Sequence, residues 1–181
     1  MADNAQFSVA DFSSRIAKNG LASPNKFEVI FKRIPGADQN DLTQLSLMCD
    51  QVSLAGRDVQ AVLDLQYGIR RQVAYNAPAY TPLSVSFLCT DQMLEKTILD
   101  KWNNFIVPNK KGKVFDVEYY NNYVGTLTVT LLDSDGVTPK YTQEYIEAYP
   151  KTINAIELNH STQNSVARVT ADFQYAYWNP K

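Results

Sequence analysis

Val166-Ala-Arg-Val-Thr-Ala-Asp-Phe-Gln-Tyr-Ala-Tyr-Trp178 alternates along almost its whole length. Val169, Ala171, Phe173, Tyr175 and Tyr177 fall on one side of an extended chain; Arg168, Thr170, Asp172 and Gln174 fall on the other. Period 2 marks a strand with one buried face, and a strand this long must pair with something. Its partners lie upstream. Leu83, Val85, Phe87 and Cys89 alternate with Ser84, Ser86 and Thr90, and Leu127, Val129 and Leu131 with Thr126, Thr128 and Thr130. Phe27, Val29 and Phe31 share a face, as do Phe115, Val117 and Tyr119. Leu45 to Leu54 reads as a strand broken by Ala55-Gly56-Arg57-Asp58. Asp133-Ser-Asp-Gly136 supplies a hairpin turn into an extended run from Tyr141, closed by Tyr149-Pro150.

Two helices interrupt this pattern. Ser8 caps a short N-terminal helix over about 9–19, with Asp11 in the first turn and Gly20 as the stop. Asp91 opens an amphipathic helix over about 92–107, ended by Pro108. Leu94, Ile98, Trp102, Phe105 and Ile106 form its apolar face, while Glu95, Lys96, Asp100 and Lys101 point away. Ala37 to Thr43 reads as a polar loop, Ile153 to Leu158 as a short ambiguous segment and His160 to Ser165 as a polar loop. Val59 to Tyr67 and Arg70 to Tyr75 are β-prone around Tyr67-Gly68, and Gln72 to Pro82 is too irregular for a core strand. The segment from about Arg57 to Pro82 therefore reads as a projecting loop or hairpin. The sum is a mainly β (α+β) chain of roughly seven or eight strands: a small antiparallel β-barrel or sandwich with a flanking helix. It is expected to form one domain over 1–181 with a short flexible N-terminus, 1–7.

Composition narrows the function. A formal charge of −2 and a pI of about 5.4 leave no basic excess to neutralise phosphates, so tight DNA binding is not expected. Lys110-Lys111-Gly112-Lys113 reads as a solvated loop. Cys49 and Cys89 lack CxxC spacing and read as buried free thiols of a reducing cytoplasm. No signal peptide and no stretch of membrane-spanning length is visible.

Markers of catalysis are missing. His160 is the only histidine and sits in a polar loop, which removes every motif needing two. Asp133-Ser-Asp135-Gly136 resembles the opening of a calcium loop, with Glu144 at its twelfth position. The sixth position, which needs Gly, is Thr138, and Val137 replaces an oxygen ligand. No phosphate-binding, dinucleotide or nucleophile-elbow motif occurs. Paired carboxylates meeting from distant strands would leave no local mark, and nothing points to them. The expectation is a protein without catalytic residues, cofactor or metal. Tyr119-Tyr120-Asn-Asn-Tyr123 and Tyr75-Asn-Ala-Pro-Ala-Tyr80 have the composition of contact surfaces. Such surfaces suit subunit packing; they also suit a carbohydrate-binding β-sandwich, the distant alternative.

The order of features resembles the tail tube proteins of T4-like contractile-tailed bacteriophages. A short helix ends at Gly20, then Ser23-Pro24-Asn25-Lys-Phe27 enters a strand. A Cys in an apolar strand precedes Leu54-Ala55-Gly56, and Tyr67-Gly68, the alternating strand to Cys89 and a helix carrying Trp102 follow. Ala148-Tyr149-Pro150-Lys-Thr-Ile153 and the final Phe173-Gln-Tyr175-Ala-Tyr177-Trp178 complete the match, from about residue 8 to 178. The loop after Ile34 and the Lys-rich loop after Pro108 depart from the family pattern.

The resemblance implies a structural virion protein, assembled in the host bacterial cytoplasm, whose hexameric rings stack into a conduit for DNA ejection. A tube-like baseplate or terminator ring, or the inner tube of a secretion or bacteriocin particle, is the near alternative. Implied partners are other copies of the chain, a tail sheath protein outside, baseplate and terminator proteins at the ends, and tape measure protein and transiting DNA in the lumen. No membrane is involved. Candidate inter-subunit contacts are Arg57, Tyr67, Arg70, Arg71, Tyr75 and Tyr80, and candidate lumen-facing acids are Asp58, Asp64 and Asp172.

Overall fold

The computed structural model describes residues 8–64, 70–75, 79–108, 116–159, 161 and 165–181. In chain order the elements are α1 (Val9–Asn19), β1 (Phe27–Arg33), α2 (Gln39–Leu47), β2 (Cys49–Val52), β3 (Arg57–Asp58), β4 (Ala61–Asp64), β5 (Arg71–Ala74) and β6 (Ala79–Tyr80). They continue with β7 (Leu83–Leu88), α3 (Leu94–Ile106), α4 (Tyr120–Tyr123), β8 (Gly125–Leu132), β9 (Pro139–Ile153), β10 (Arg168–Gln174) and β11 (Tyr177–Pro180).

Every strand pairing is antiparallel, as expected from the alternation. The main sheet runs β1-β8-β9-β10-β7-β2, with β11 also on β9. Strand β9 holds it together. Its first part pairs with β8 and β11, its last part with β10, and Glu147 between them has a left-handed φ of 56°. Two half-sheets thus hang on one strand and fold over each other. Phe31 of β1 meets Phe87 of β7 and Phe173 of β10, each with ring centroids 5.9 Å apart. Leu83, Val85, Val169 and Ala171 complete the buried layer from one side, Val29, Leu127, Val129 and Tyr145 from the other. The sheet is a sandwich-like open barrel, since its end strands β1 and β2 are not paired with each other.

Several expectations are corrected. The supposed polar loop 37–43 lies largely in α2, and the strand read from Leu45 begins only at Cys49. Asp38 and Asp41 form a capping box, and Leu42 and Leu45, three apart, are both buried. Helix α3 starts at Leu94 behind Met93 in a left-handed conformation (φ 53°), so Asp91 is not its cap. Val117 and Tyr119 are outside any strand, directly before α4. Strand β9 does not stop at Pro150 but passes through it, because the register with β10 shifts there and a bulge tolerates a missing N–H. The C-terminal run is two strands, and the chain bends at Ala176. Tyr175 is buried, but Tyr177 is exposed and Trp178 packs on the core instead. The cysteines are free and half-buried rather than buried; burial pushes the Cys49 thiol up to about 12. The expected N-terminal segment 1–7, Phe115, the Lys-rich loop and His160 lie outside the described residues.

The largest surprise is Glu95, placed by the sequence on the outer face of α3 and found fully buried beside Ile98, Leu99 and Trp102. Its carboxylate accepts from the Thr90 backbone N–H (2.9 Å), the Thr90 hydroxyl (3.1 Å) and Gln44 Nε2 (2.8 Å), so one side chain ties α3 to the preceding turn and to α2. Burial works to raise its pKa, but the hydrogen bonds from Thr90 and Gln44 together outweigh this and hold it below the ordinary carboxylate value. A depressed folded-state pKa contributes stability that is present above the unfolded value, near 4.5, and is lost as pH falls through the folded one. Glu95→Gln leaves an amide NH2 facing donors and is expected to cost about 1–3 kcal/mol at pH 7. Urea midpoints measured from pH 7 to 3 should show the variant losing less stability on acidification than the parent.

Candidate assembly surface

Between β2 and β7 the chain leaves the main sheet and returns. At the base, β3 pairs with β6, setting Arg57 opposite Tyr80 and Asp58 opposite Ala79. Further out β4 pairs with β5, from Ala61↔Ala74 to Asp64↔Arg71, as a two-stranded sheet of its own. The base is pinned by tyrosines. The Ala55 N–H donates to the Tyr145 hydroxyl (3.2 Å), the Gly56 N–H to the Thr81 hydroxyl (3.0 Å) and the Tyr175 hydroxyl to the Thr81 carbonyl (2.7 Å). The Tyr80 and Tyr145 rings pack on Tyr175 at 5.7 and 5.0 Å. Burial pushes the Tyr145 and Tyr175 phenols up to about 12. Removing one such anchor with Tyr175→Phe is expected to cost about 1 kcal/mol and to speed proteolytic nicking within 57–82, read by limited proteolysis.

Beyond its base the projection buries nothing described. Val59, Val62, Leu63, Val73 and Tyr75 are all exposed. A two-stranded ribbon with bare apolar side chains is marginal in water by itself, so the segment has the character of a surface awaiting a partner.

The sequence-predicted contact residues separate accordingly. Arg57, Arg70, Arg71 and Tyr75 are exposed on the projection. Tyr80 is half-buried in the tyrosine cluster, so its ring serves the base of the projection within the chain. Tyr67 lies outside the described residues, as does the Asp64 side chain. Asp58 is exposed on β3, at the root of the projection, while Asp172 is half-buried on β10, so the structure does not bring these two acids onto one strand face.

Asp172 belongs instead to a different surface. In β10 and β7 the register sets Asp172 opposite Ser84 and Thr170 opposite Ser86, and Gln51 of β2 follows opposite Ser86. These side chains lie on the face turned away from the core. The Ser86 and Thr170 hydroxyls are 3.2 Å apart, and Gln51, Ser53 and Ser84 complete a hollow of about 250 Å³. At its edge Arg168 Nε donates to Asp50 at 2.8 Å, which neutralises the cation. One half-sheet therefore presents short hydroxyl and amide groups on its outer face. The alternation in sequence marks one face of each strand as unburied; strand order shows that three strands contribute to one surface.

The Asp133–Gly136 turn is a hairpin. Asp135 accepts from the Val137 and Thr138 N–H groups at 2.9 Å each and from the Thr138 hydroxyl, and these hydrogen bonds lower its pKa to about 2.

The family described as "Phage tail tube protein" matches residues 21–181. No curated protein sequence matches significantly. Among solved structures the chain is similar to one in an extracellular contractile injection system, the PVC sheath/tube terminator in extended state, with a TM-score of 0.62 and 14% identity over 89% of this chain and 96% of that one. It is similar to a chain of the PVC sheath-tube complex in extended state, with a TM-score of 0.56 and 16% identity over 93% and 97%. A chain of the anti-feeding prophage baseplate gives a TM-score of 0.61 and 12% identity over 89% and 95%. At such identities the likeness is one of fold.

Proposed function

The chain belongs to the phage tail tube protein family, and on that premise we propose that its copies join into hexameric rings that stack as the inner tube of a contractile tail. The observation that carries this reading is the projection rooted at β3 and β6, whose apolar residues have no cover among the described residues. Arg57, Arg70, Arg71, Tyr67 and Tyr75 are its contact residues toward neighbouring copies. The hydroxyl face around Ser84, Ser86, Thr170 and Asp172 lines the bore. Short neutral groups with one carboxylate and a compensated arginine offer phosphates no cation to hold, which suits a conduit through which DNA must slide. Asp58 and Asp64 add negative charge nearer the ring-to-ring contact. The sheath protein surrounds the tube, baseplate and terminator proteins close its ends, and tape measure protein and DNA occupy its lumen. The role is structural, and the chain acts as one domain.

Negative-stain electron microscopy of the purified protein tests this. Long tubes with six-fold end views support the repeating subunit; rings that never stack reassign it to an end piece; a monomer at all concentrations overturns the reading. Binding of linear DNA by assembled tubes at low salt would contradict a non-adhesive bore.

A further inference from the structure

Helix α1 is amphipathic and buries nothing. Val9, Phe12 and Ile16 share one face; Val9 and Phe12 are exposed, Ile16 is only half-buried, and Leu21 just beyond is exposed as well. A helix of eleven residues is too short to persist in water on its own hydrogen bonds. Its Ser8 cap, accepting from the Asp11 N–H at 3.1 Å, contributes about 1 kcal/mol. The apolar stripe must be covered by something.

The complementary surface is the unclosed seam of the barrel. Between the unpaired edges of β1 and β2 runs a groove of about 310 Å³ whose walls are apolar: Pro24, Phe27, Val52, Leu54, Val129 and Leu131. An apolar cavity of about 150 Å³ accepts one benzene ring, so this groove has room for two side chains of the size of Phe12 and Ile16. Those two are four apart on one helix face, the usual spacing of anchors that lay a helix in a groove. Charge agrees. Helix α1 carries Arg15 and Lys18 against Asp11, and the adjoining hollow exposes the carboxylate of Glu28, whereas Lys26 is turned to the Ser134 carbonyl. Among the described residues nothing fills the groove, and α1 has no buried residue.

We infer that the α1 arm of one copy seats in the seam groove of a neighbouring copy, with Phe12 and Ile16 as anchors. This rests on the assembly reading above and specifies one of its contacts. The seating covers two bare surfaces at once and places a helix across the outer edges of β1 and β2 beyond the stretch where Ser46 already accepts from Phe31, edges that would otherwise invite uncontrolled pairing.

The test uses the full chain carrying C49S and C89S, with Ile16→Cys in one population and Leu54→Cys in another. Mixed, assembled and mildly oxidised, the two should form a disulfide-linked heterodimer. Phe12→Asp should lower the sedimentable assembled fraction by about tenfold or more, as loss of a buried aromatic anchor does, and leave the unfolding midpoint of the monomer unchanged; Phe12→Leu should restore assembly. If wild-type protein forms rings or tubes but the link is absent, or forms only within a chain carrying both cysteines, or Phe12→Asp assembles normally, the arm inference is overturned and the tube reading stands. If wild-type protein assembles into nothing, the tube reading fails and the inference falls with it.

Discussion

Trp102→Ala is expected to cost about 4–5 kcal/mol and to leave little folded protein at 37 °C. The indole is 1% exposed, packs at a tilt against the Phe173 ring with centroids 5.8 Å apart, and donates from Nε1 to the Tyr123 carbonyl at 2.8 Å. Truncation to Ala removes the largest fully buried side chain, leaves a cavity between α3 and the sheet, and orphans a carbonyl. Typical domains have about 5–15 kcal/mol in total, so the loss is a large share. Neighbouring Gly125 shows how little slack exists: a Cβ there would lie 2.2 Å from the Arg33 carbonyl oxygen and 3.1 Å from the indole ring. Equilibrium urea denaturation followed by far-UV circular dichroism gives the number. A cost below about 1.5 kcal/mol would mean the helix–sheet contact is not central to the core.

The second large effect is on assembly with the fold intact. Because Asp58 and Ala79 are paired neighbours on β3 and β6, a two-residue Asn-Gly turn can join them in place of residues 59–78. The excised chain keeps its tyrosine-pinned base and its whole main sheet, so its thermal midpoint should stay within a few degrees of the parent. Tubes and rings should disappear entirely by electron microscopy and sedimentation. Tubes of ordinary length from the excised protein would show that the projection is dispensable for contacts between copies.

The strands were legible where one face meets the core and the other meets water. Ser84 to Phe87 and Val169 to Phe173 announce themselves by alternation alone. What alternation cannot show is where a chain changes partners: Tyr175 and Tyr177 are two apart, yet the bend at Ala176 separates a buried ring from an exposed one. Glu95 was misplaced because charge is read as exposure, and the groups that make its burial tolerable, Thr90 and Gln44, lie five and fifty-one residues away. The projection was legible as an irregular, proline-bearing stretch. Its anchors were not, since Tyr145 reaches Ala55 and Tyr175 reaches Thr81 from far along the chain, and the hydroxyl face required the strand order β2-β7-β10.

Strand β9 has a mechanical consequence. A pull that separates the two half-sheets must first stretch a continuous backbone, because one fifteen-residue strand gives its first part to one half-sheet and its last part to the other. Hydrogen-bonded neighbours can unzip one rung at a time; a covalent tendon cannot. Its single left-handed residue, Glu147, sits where the tendon passes from one half-sheet to the other, so the two ladders are joined through one backbone joint.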